Sequence, residues 1–581
     1  MKPVLRAATV AMTLAVSYGM IASSPATADG RNPTRSSVAV TDNPVKANEA
    51  RKLNTLPYRD PSRRQRSSAA RASAQATMPA TGTTTTGRPA ATEDSRTSQP
   101  AATTAAAKPY DIDGDGDADA VVGAVGEDLG YDTEAGMLHV LKGSSGGVTT
   151  SGDKVIHQDT YGVPGSAEDF DWFAWTNTSG DFNADGYADI AVSAIGEDIG
   201  STWDTGLVQV FYGSATGLRS SGVTGLEVPR FDLFLGVGLA AGDFNGDGRD
   251  DLAVGGPGND NAAGSVFVYP GTATGLSTTY QEFIQGGDVP GSSADLEYFG
   301  EALAAGDING DGHDDLAIGA AGDSDDLGWP IGSVTLLYGH TSGLNANHDA
   351  QRFSKETPGV PGDGGSSADE SFDDFGYDVT LADFNGDSKA DLAVGAPGSA
   401  VTYNGVRKPD AGTVTVLYSN GTQIGTDNAI EITEATANIP GIPSDYDYLG
   451  EVVTSGDANG DGRSELAMFS LGDGYVTVIP GSATGLLPTS AKGWTQDSYG
   501  IPGVDESGDR WGNSLRFADI KKTGYQSLIV GADGENNFRG AFTVIHSTSS
   551  GLTGPGSQAF SQDTYGVEGT AEAGDGFGSF F

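Results

Sequence analysis

The sequence predicts an all-β protein, a seven-bladed β-propeller built from four-stranded blades. Three observations predict it. A nine-residue acidic pattern recurs seven times, with starts 62 to 76 residues apart. Short apolar segments bounded by glycine or proline flank each copy, and the end of the chain supplies a segment that the first copy lacks. Because one four-stranded unit cannot bury both of its faces, units of this length are expected to stack in a ring.

Each unit contains four short segments, A to D, that are typical of β-strands. Segment A precedes the acidic pattern, as in 299–306, and segment B follows it, as in 252–255. Segment C is rich in β-branched and aromatic residues, as in 265–269 and 413–418, and segment D, as in 280–284, is the weakest prediction. These segments are too short for helices, and their glycine and proline boundaries favour strands.

The two ends of the repeat region predict that the ring closes on itself. The first unit lacks segment A, because the residues before Asp111 belong to a segment of different composition. The chain ends with 576–581, which read as a segment A with nothing after it. We therefore expect the last strand to complete the first blade. An open solenoid, the alternative, would leave both ends unfinished.

Residues 1–28 have the pattern of a secretory signal peptide. Lys2 and Arg6 precede a short apolar stretch, and Ala26-Thr27-Ala28 supplies the small residues of a cleavage site. Residues 29–108 are rich in Ala, Thr, Ser and Pro with a net charge of +7, which predicts a disordered basic linker. The predicted domains are thus the signal (1–28), the linker (29–108) and the seven repeats (109–581). An N-terminal membrane anchor is the alternative for the first segment, and we expect a secreted protein.

Composition excludes several classes of function. Cysteine is absent, so disulfides, thiolate zinc sites and a cysteine nucleophile are excluded. Residues 109–581 carry 17 basic and 72 acidic residues. Such a charge repels nucleic-acid phosphates and anionic lipid surfaces and attracts cations. No run after residue 28 is apolar over the roughly 18 residues that span a bilayer, so we expect neither a nucleic-acid partner nor a membrane span.

The acidic pattern, Asp-x-Asn/Asp-x-Asp-Gly-x-x-Asp, predicts calcium loops between segments A and B. Calcium takes six to eight oxygen ligands. Positions 1, 3, 5 and 9 supply side-chain oxygens, and position 7, whose side chain varies freely, can supply its backbone carbonyl. The seventh copy, which begins at Asp519, has lost the other acidic positions. The predicted ligands of up to six structural ions are Asp111, Asp113, Asp115 and Asp119; Asp181, Asn183, Asp185 and Asp189; Asp243, Asn245, Asp247 and Asp251; Asp307, Asn309, Asp311 and Asp315; Asp383, Asn385, Asp387 and Asp391; and Asp457, Asn459, Asp461 and Glu465.

Two other interpretations of the loop were weighed. An EF-hand needs Glu at position 12 between two helices, whereas position 12 of the fourth loop is Ile318 inside a strand-like run. A metal-free turn stapled by its own Asp and Asn side chains remains open. Ser388 replaces the glycine of position 6 in the fifth loop, which predicts a strained or weaker site there.

The flanking segments resemble a known family. Phe299-Gly300 and Phe375-Gly376, together with Gly395-Ala396-Pro397, are similar to FG-GAP repeats. The resemblance covers about 109–581 and implies the seven-bladed propeller of integrin α subunits and of many secreted bacterial proteins. The motif varies between copies: the Phe-Gly pair becomes Leu449-Gly450 in one unit and Trp511-Gly512 in another.

Strand parity predicts which loops share a rim. The metal loops (A to B) and the C-to-D turns should lie on one rim, and the B-to-C and D-to-A loops on the other. The second set is long, varied, acidic and aromatic, which is typical of a binding face. Its members include Glu127, Asp128, Asp169, Trp172, Trp203, Tyr298, Trp329 and Phe372.

The sequence therefore favours a secreted, calcium-loaded binding or adhesion module for an extracellular protein or glycan. We expect no catalytic residue, because the six histidines are scattered through different repeats and no catalytic motif fits its required context. The alternatives are a secreted hydrolase or lyase acting on glycan or phospholipid, and an inert surface scaffold. The sequence predicts neither the identity of the ligand nor the oligomeric state.

Overall fold

The computed structural model describes residues 107–286, 289–324, 330–344, 350–362 and 372–581. The predicted signal peptide and all but the last two residues of the predicted linker lie outside these residues. The described part is a ring of seven antiparallel four-stranded blades, as the sequence predicts.

The strands are numbered in chain order and grouped by blade. Blade 1 holds β1 (Ala120–Ala124), β2 (Met137–Lys142) and β3 (Thr149–Ile156); blade 2 holds β4 (Phe173–Gly180), β5 (Asp189–Ala194), β6 (Leu207–Phe211) and β7 (Thr224–Leu226); blade 3 holds β8 (Leu239–Gly242), β9 (Asp251–Gly256), β10 (Ser265–Tyr269) and β13 (Gln281–Phe283). Blade 4 holds β14 (Leu303–Gly306), β15 (Asp315–Ala320), β16 (Ser333–Leu337) and β17 (Gln351–Phe353); blade 5 holds β18 (Val379–Ala382), β19 (Asp391–Ala396), β22 (Thr413–Leu417) and β23 (Ile430–Ile432). Blade 6 holds β24 (Val453–Gly456), β25 (Glu465–Ser470), β26 (Tyr475–Ile479) and β27 (Lys492–Trp494); blade 7 holds β28 (Leu515–Ala518), β29 (Ser527–Ala532), β30 (Ala541–Ile545) and β33 (Gln558–Phe560).

Three small hairpins and three short turns complete the described elements. The hairpins pair β11 (Gly271–Thr272) with β12 (Gly275–Leu276), β20 (Val401–Tyr403) with β21 (Val406–Lys408), and β31 (Ser547–Thr548) with β32 (Gly551–Leu552). The turns are α1 (Asn259–Ala262), α2 (Glu535–Phe538) and a 3₁₀ turn at Pro488–Ser490. Three residues inside α1 and three inside α2 have positive φ, so neither is a regular helix.

Strands B and C form the core of each blade. Every residue of β5, β9 and β15 is buried, because both faces of the blade pack against its neighbours. The predicted strands B and C are confirmed with small shifts of their ends. Strand D is shorter than predicted, three residues in blade 3, and the Phe-Gly pair lies before strand A rather than inside it.

The Phe-Gly pair of one blade meets a glycine near the end of strand B of the preceding blade. Phe299 is fully buried, and its N–H donates to the carbonyl of Ala263 in the preceding blade at 3.2 Å. A Cβ added to Gly255 would lie 1.8 Å from the carbonyl oxygen of Gly300. The repeated glycines therefore allow the backbones of successive blades to touch.

The C-terminal segment closes the ring, which confirms the prediction for blade 1. Phe577 is fully buried and forms β-bridges with Ala124 of blade 1 and Gly540 of blade 7. The N–H of Gly578 donates to the carbonyl of Gly123 at 2.8 Å, and the N–H of Gly123 donates to the carbonyl of Phe580 at 3.3 Å. The segment pairs through these few bonds and does not form a regular strand.

A buried arginine reinforces the closure. The guanidinium of Arg516 in blade 7 donates to the carbonyl of Val121 in blade 1 at 3.1 Å and to Oδ1 of Asn177 in blade 2 at 2.8 Å. It also lies 4.0 Å from the ring centroid of Tyr110 and 5.7 Å from that of Phe581. One side chain therefore bonds the last blade to the first two and to the chain end.

Candidate metal loops and the opposite rim

The acidic loops join strand A to strand B in the blades, and their first residue organises each turn. In the fourth loop, Oδ1 of Asp307 accepts the N–H of Gly310 at 2.7 Å, and Oδ2 accepts the N–H of Gly312 at 2.9 Å. Position 3 then accepts from position 5, since Oδ1 of Asn309 lies 2.8 Å from the N–H of Asp311. The carboxylates and amides thus point into the turn, and each keeps further lone pairs for a cation.

Position 9 anchors the loop to the C-to-D turn of the same blade. Oδ1 of Asp315 accepts the N–H of Gly339 at 2.7 Å, and Oδ2 accepts the N–H of Ile308 at 2.9 Å. The metal loops and the C-to-D turns therefore lie together, as strand parity predicts. The same carboxylate-to-turn bond recurs in four other loops: Asp119–Gly143, Asp189–Gly213, Asp251–Gly271 and Asp391–Ser419.

The first loop brings three carboxylates close enough to share one ion. One oxygen each of Asp111, Asp113 and Asp115 lies within 4.8 Å of the others. Two ligands that bind one calcium ion at 2.3–2.6 Å lie at most about 5 Å apart, so this donor set fits the ion. Among the described residues, it is the one such group of three histidine, cysteine or carboxylate side chains.

In other loops the position-3 asparagine turns its amide nitrogen toward the position-9 carboxylate. Nδ2 of Asn245 lies 2.9 Å from Oδ2 of Asp251, and Nδ2 of Asn459 lies 2.7 Å from Oε1 of Glu465. A half-turn of the amide would present its oxygen instead, since the two ends differ little in shape. These loops therefore supply the oxygen ligands that calcium needs, from four side chains each.

Burial makes the position-9 carboxylates costly to ionise. It raises the pKa of Asp189 to about 8, against a usual value near 3.8. The charges of Asp185 and Asp181 add to this rise, while hydrogen bonds from the backbone oppose it. A cation in the loop would favour the ionised form. The corresponding pKa is raised to about 7 at Asp119, Asp251, Asp315, Asp391 and Glu465.

The sequence analysis missed the basic side chains that lie beside these loops. Lys142 pairs with Asp113 at position 3 of the first loop. Position 7 reaches back to position 5 in three loops: Arg249 to Asp247 at 3.2 Å, His313 to Asp311 at 3.0 Å, and Arg463 to Asp461 at 2.9 Å. The basic residues at position 7 could have indicated these contacts, but position 7 was expected to accept any side chain.

The fifth and seventh loops keep the shape of the turn without the full pattern. Ser388 adopts φ +64°, the left-handed region predicted for position 6, where a non-glycine residue costs about 1–2 kcal/mol. In the seventh loop, Asp519 still accepts the N–H of Thr523 at 2.8 Å and of Gly524 at 3.0 Å. Lys522 of that loop donates to the carbonyl of Asp115 in the first loop at 2.5 Å.

Comparison with known proteins identifies the repeats. The FG-GAP repeat model matches residues 173–211, 235–269, 299–329 and 375–417. The matches include strands A to C of blades 2, 3 and 5 and strands A and B of blade 4. This chain contains FG-GAP repeats. Its propeller is of the integrin α type, as the resemblance in the sequence implies.

The FG-GAP chain matches short parts of longer curated relatives. It is 32% identical to integrin alpha-PS5 of Drosophila melanogaster over 153 residues, which are 26% of this chain and 15% of the relative. It is 36% identical to phosphatidylinositol-glycan-specific phospholipase D of Rattus norvegicus over 178 residues, 29% of this chain and 18% of that enzyme. Across the relatives compared, the chain spans 11 to 20% of their length.

A solved structure overlaps the FG-GAP chain more broadly but weakly. Its title describes specific recognition of non-reducing terminal N-acetylglucosamine by a lectin of Agrocybe aegerita. It aligns with a TM-score of 0.41 and 14% identity, over 77% of this chain and 90% of that chain. In the part of the FG-GAP chain that the structure describes, no helix has the length and apolar character needed to span a membrane.

The rim opposite the metal loops is formed by the B-to-C and D-to-A loops of the FG-GAP blades. The predicted rim residues separate into two groups. Trp203 and Phe372 are exposed, and Tyr298 is half-buried. Glu127 and Trp172 are buried, and the indole N–H of Trp172 donates to Glu134 at 2.9 Å. Trp329 lies outside the described residues.

The most exposed aromatic rings of the described residues are four tyrosines of the B-to-C and D-to-A loops, which the sequence analysis did not single out. Tyr131 lies in the B-to-C loop of blade 1 and is fully exposed. Tyr161, Tyr499 and Tyr565 occupy equivalent places in three D-to-A loops, with exposures of 94, 89 and 98%. The D-to-A tyrosines lie against the C-to-D side of the next blade, since the carbonyl of Tyr565 accepts a hydrogen bond from Oγ1 of Thr150 at 2.9 Å. The repeated Asp-Thr/Ser-Tyr-Gly sequence around these three residues was the signal that could have indicated them.

Proposed function

We propose that this protein is exported, holds calcium in its A-to-B loops, and binds an extracellular protein or glycan on the opposite rim. The observation that carries the proposal is the separation of the two rims. Side chains of the acidic loops turn inward to hold the turn, whereas the opposite rim exposes Tyr131, Trp203 and Phe372. Exposed aromatic rings beside carboxylates suit sugars and cationic protein surfaces.

Calcium would supply charge neutralisation and cross-linking in these loops. The residues that would hold it are those of positions 1, 3, 5 and 9, from Asp111 in the first loop to Glu465 in the sixth. The close carboxylate oxygens of the first loop support this assignment. In a chain without cysteine, such ions would take the structural place of disulfides. Extracellular calcium modules typically bind with dissociation constants of about 10⁻⁴–10⁻³ M.

The binding proposal is tested with the full chain and one triple substitution. Tyr131→Ala, Trp203→Ala and Phe372→Ala together remove three exposed rings of this rim. A glycan array and an extracellular protein panel would identify a ligand of the wild-type chain. We expect the triple variant to bind it at least about tenfold more weakly, a loss of about 1.4 kcal/mol.

A substitution on the metal rim is the matched control. Leu487 is an exposed apolar residue that follows a C-to-D turn, so Leu487→Ala should bind the ligand like wild type. Circular dichroism and the melting temperature confirm that all variants fold. Unchanged binding by the triple variant, or an equal loss in Leu487→Ala, would contradict the assignment of the binding face.

A hydrolase that acts on phospholipid or glycan is the second candidate. It is favoured by the 36% identity to a relative named phosphatidylinositol-glycan-specific phospholipase D, although the match covers 18% of that enzyme. A panel of phospholipid and glycan substrates separates the candidates. Turnover without stoichiometric retention of ligand would support the hydrolase, whereas retention without turnover supports the binding module. A chain that does neither would be a scaffold.

A further inference from the structure

Three positions recur at every junction between blades on the rim opposite the metal loops. They are the second residue after strand D of one blade, and, in the next blade, the residue two before the Phe-Gly position and the third residue after strand B. We call each set a junction triad. The triads are Gln158/Asp171/Glu197, Val228/Leu233/Asn259, Gln285/Glu297/Asp323, Lys355/Asp373/Ser399, Glu434/Asp447/Asp473, Gln496/Asp509/Glu535 and Gln562/Asp575/Glu127.

Three junctions share the composition Gln, Asp and Glu, and they share contacts too. The amide nitrogen of each glutamine donates to the glutamate of its own triad. The distance is 2.9 Å from Gln496 to Glu535 and 2.7 Å from Gln562 to Glu127, and Gln158 pairs with Glu197 in the same way. Each glutamine thus reaches across the junction to the following blade.

The amide oxygens of these three glutamines are buried without a hydrogen-bond partner. Gln158, Gln496 and Gln562 are at most 5% exposed, and Oε1 of each has no partner among the described residues. An unpaired buried amide oxygen is energetically costly. Gln285 of the third junction has the same unpaired oxygen, so the feature recurs at four equivalent places and indicates a ligand, water or a cation, for these oxygens.

The two carboxyls of such a triad are close enough to repel. Burial raises the pKa of Asp171 to about 8, with the charge of Glu197 as the next cause. The pKa of Glu197 is raised to about 7, again first by burial. Among the described residues, no basic side chain forms an ion pair with either. The junction of Asp171 and Glu197 therefore buries two acidic groups without an ion-paired basic side chain from the described part of the chain.

Two other junctions supply the positive charge from the chain itself. Lys355 stands in the glutamine position where the third triad residue is Ser399. Its Nζ lies 2.8 Å from Ser399 Oγ, 2.9 Å from Thr413 Oγ1 and 3.1 Å from Glu431 Oε1. At the junction before it, the guanidinium of Arg352 lies 2.6 Å from Oδ2 of Asp323.

The two remaining junctions avoid the charge in other ways. Val228 and Leu233 are buried apolar residues, and Asn259 completes that triad without a carboxyl. In the Glu434/Asp447/Asp473 triad, burial and then the charge of Glu434 raise the pKa of Asp447 to about 8, so the neutral form of Asp447 is favoured. The three Gln-Asp-Glu junctions keep paired acids with no ion-paired basic side chain among the described contacts.

We propose that the three Gln-Asp-Glu junctions each bind a divalent cation, with calcium favoured because it tolerates irregular oxygen-only sites. The two carboxylates and the glutamine Oε1, after a half-turn of its amide, are the ligands from the chain. Hard cations take such oxygens. These sites lie between blades on the binding rim and are independent of the acidic A-to-B loops.

The Val228/Leu233/Asn259 junction of the same chain gives the composition of the test variant. Gln158→Val, Asp171→Leu and Glu197→Asn together convert the first junction into the composition of the second. Calcium bound to the full chain is counted by equilibrium dialysis. We expect the variant to bind one equivalent fewer than wild type, while a loop variant, Asp311→Ala, loses a different equivalent. Equal counts in the junction variant and wild type would overturn the proposal and leave the loop sites untouched.

A second measurement tests the proposal even if the triple variant does not fold. Terbium, a calcium substitute, luminesces when a nearby tryptophan is excited, and Trp172 directly follows Asp171 in the chain. Glu197→Gln keeps the side-chain shape and should weaken calcium's competition for the Trp172-sensitised signal by about tenfold, or 1.4 kcal/mol. An unchanged signal and an unchanged competition curve would mean that ordered water alone fills the junction.

Discussion

The two rims of this propeller use acidic residues in opposite ways. On the rim of the A-to-B loops, nine residues repeat in nearly fixed chemistry, and their carboxylates bond backbone N–H groups of their own turn. On the other rim, the loops differ in length, expose aromatic side chains such as Trp203 and Phe372, and bury acids at the blade junctions. The comparison indicates that the repeated loops serve the stability of the fold, whereas the varied loops of the other rim can change in sequence to bind a ligand.

Deleting 577–581 would break both rims at once, and we expect the largest effect from it. The deletion removes the fully buried Phe577 and the bonds that join Gly578 and Phe580 to Gly123. Loss of one buried phenylalanine alone costs about 3–5 kcal/mol. Denaturant unfolding should show a loss above about 5 kcal/mol or no folded protein. An unchanged unfolding midpoint would contradict ring closure by the chain end.

Loss of one loop site should affect the metal rim alone. Asp311→Ala removes the position-5 ligand of the fourth loop and should reduce bound calcium by one equivalent. At calcium about 100-fold above the dissociation constant, the site contributes about 2.7 kcal/mol of stability. Lys389→Ala is the control, because its side chain bonds only the carbonyl of Asp387 among the contacts described. Equal losses in both variants would contradict the ligand assignment.

A methyl group added at a blade junction should test how closely neighbouring blades pack. A Cβ on Gly395 would lie 2.0 Å from the carbonyl oxygen of Gly450 in the next blade. Gly395→Ala should therefore cost about 1–3 kcal/mol in the free energy of unfolding. Gly146→Ala, which meets only a serine hydroxyl at 3.6 Å, should change stability by less than about 0.5 kcal/mol. If the two variants were equally stable, the close contact between blades would be wrong.

A pH dependence is expected at the Glu434/Asp447/Asp473 junction. Burial first, and then the charge of Glu434, raises the pKa of Asp447 to about 8 in the folded chain. Since an unfolded aspartate titrates near about 3.9, the folded state binds more protons between about pH 4 and pH 8. This contribution to stability is complete below that range and is lost as the pH rises through about 8.

Melting curves at about pH 5 and pH 8 would measure this contribution. Because the asparagine of Asp447→Asn cannot ionise, the stability of the variant should depend less on pH than that of wild type. The variant should compare most favourably with wild type at the higher pH. Asp563→Asn, on an exposed side chain, should leave the slope unchanged. A slope that is the same in wild type and Asp447→Asn would rule out titration of this carboxyl.

The repeat made the fold predictable, because seven copies in one register reveal strands that a single copy leaves ambiguous. The acidic pattern placed the loops between strands A and B, and the unmatched chain end predicted the closure at Phe577. The junction triads escaped the sequence analysis, because Gln158, Asp171 and Glu197 belong to two blades and meet only when the ring forms. The basic side chains beside the loops were missed for a similar reason, since Lys142 is distant in sequence from Asp113.

The central claim, that calcium holds the A-to-B loops, is tested most directly by metal content and chelation of the full chain. Elemental analysis of protein purified with calcium should find the ion bound in several equivalents. Addition of EDTA should then lower the melting temperature by at least about 10 °C, since several sites contribute stability together. Protein that contains no calcium and melts at the same temperature with and without EDTA would contradict the account.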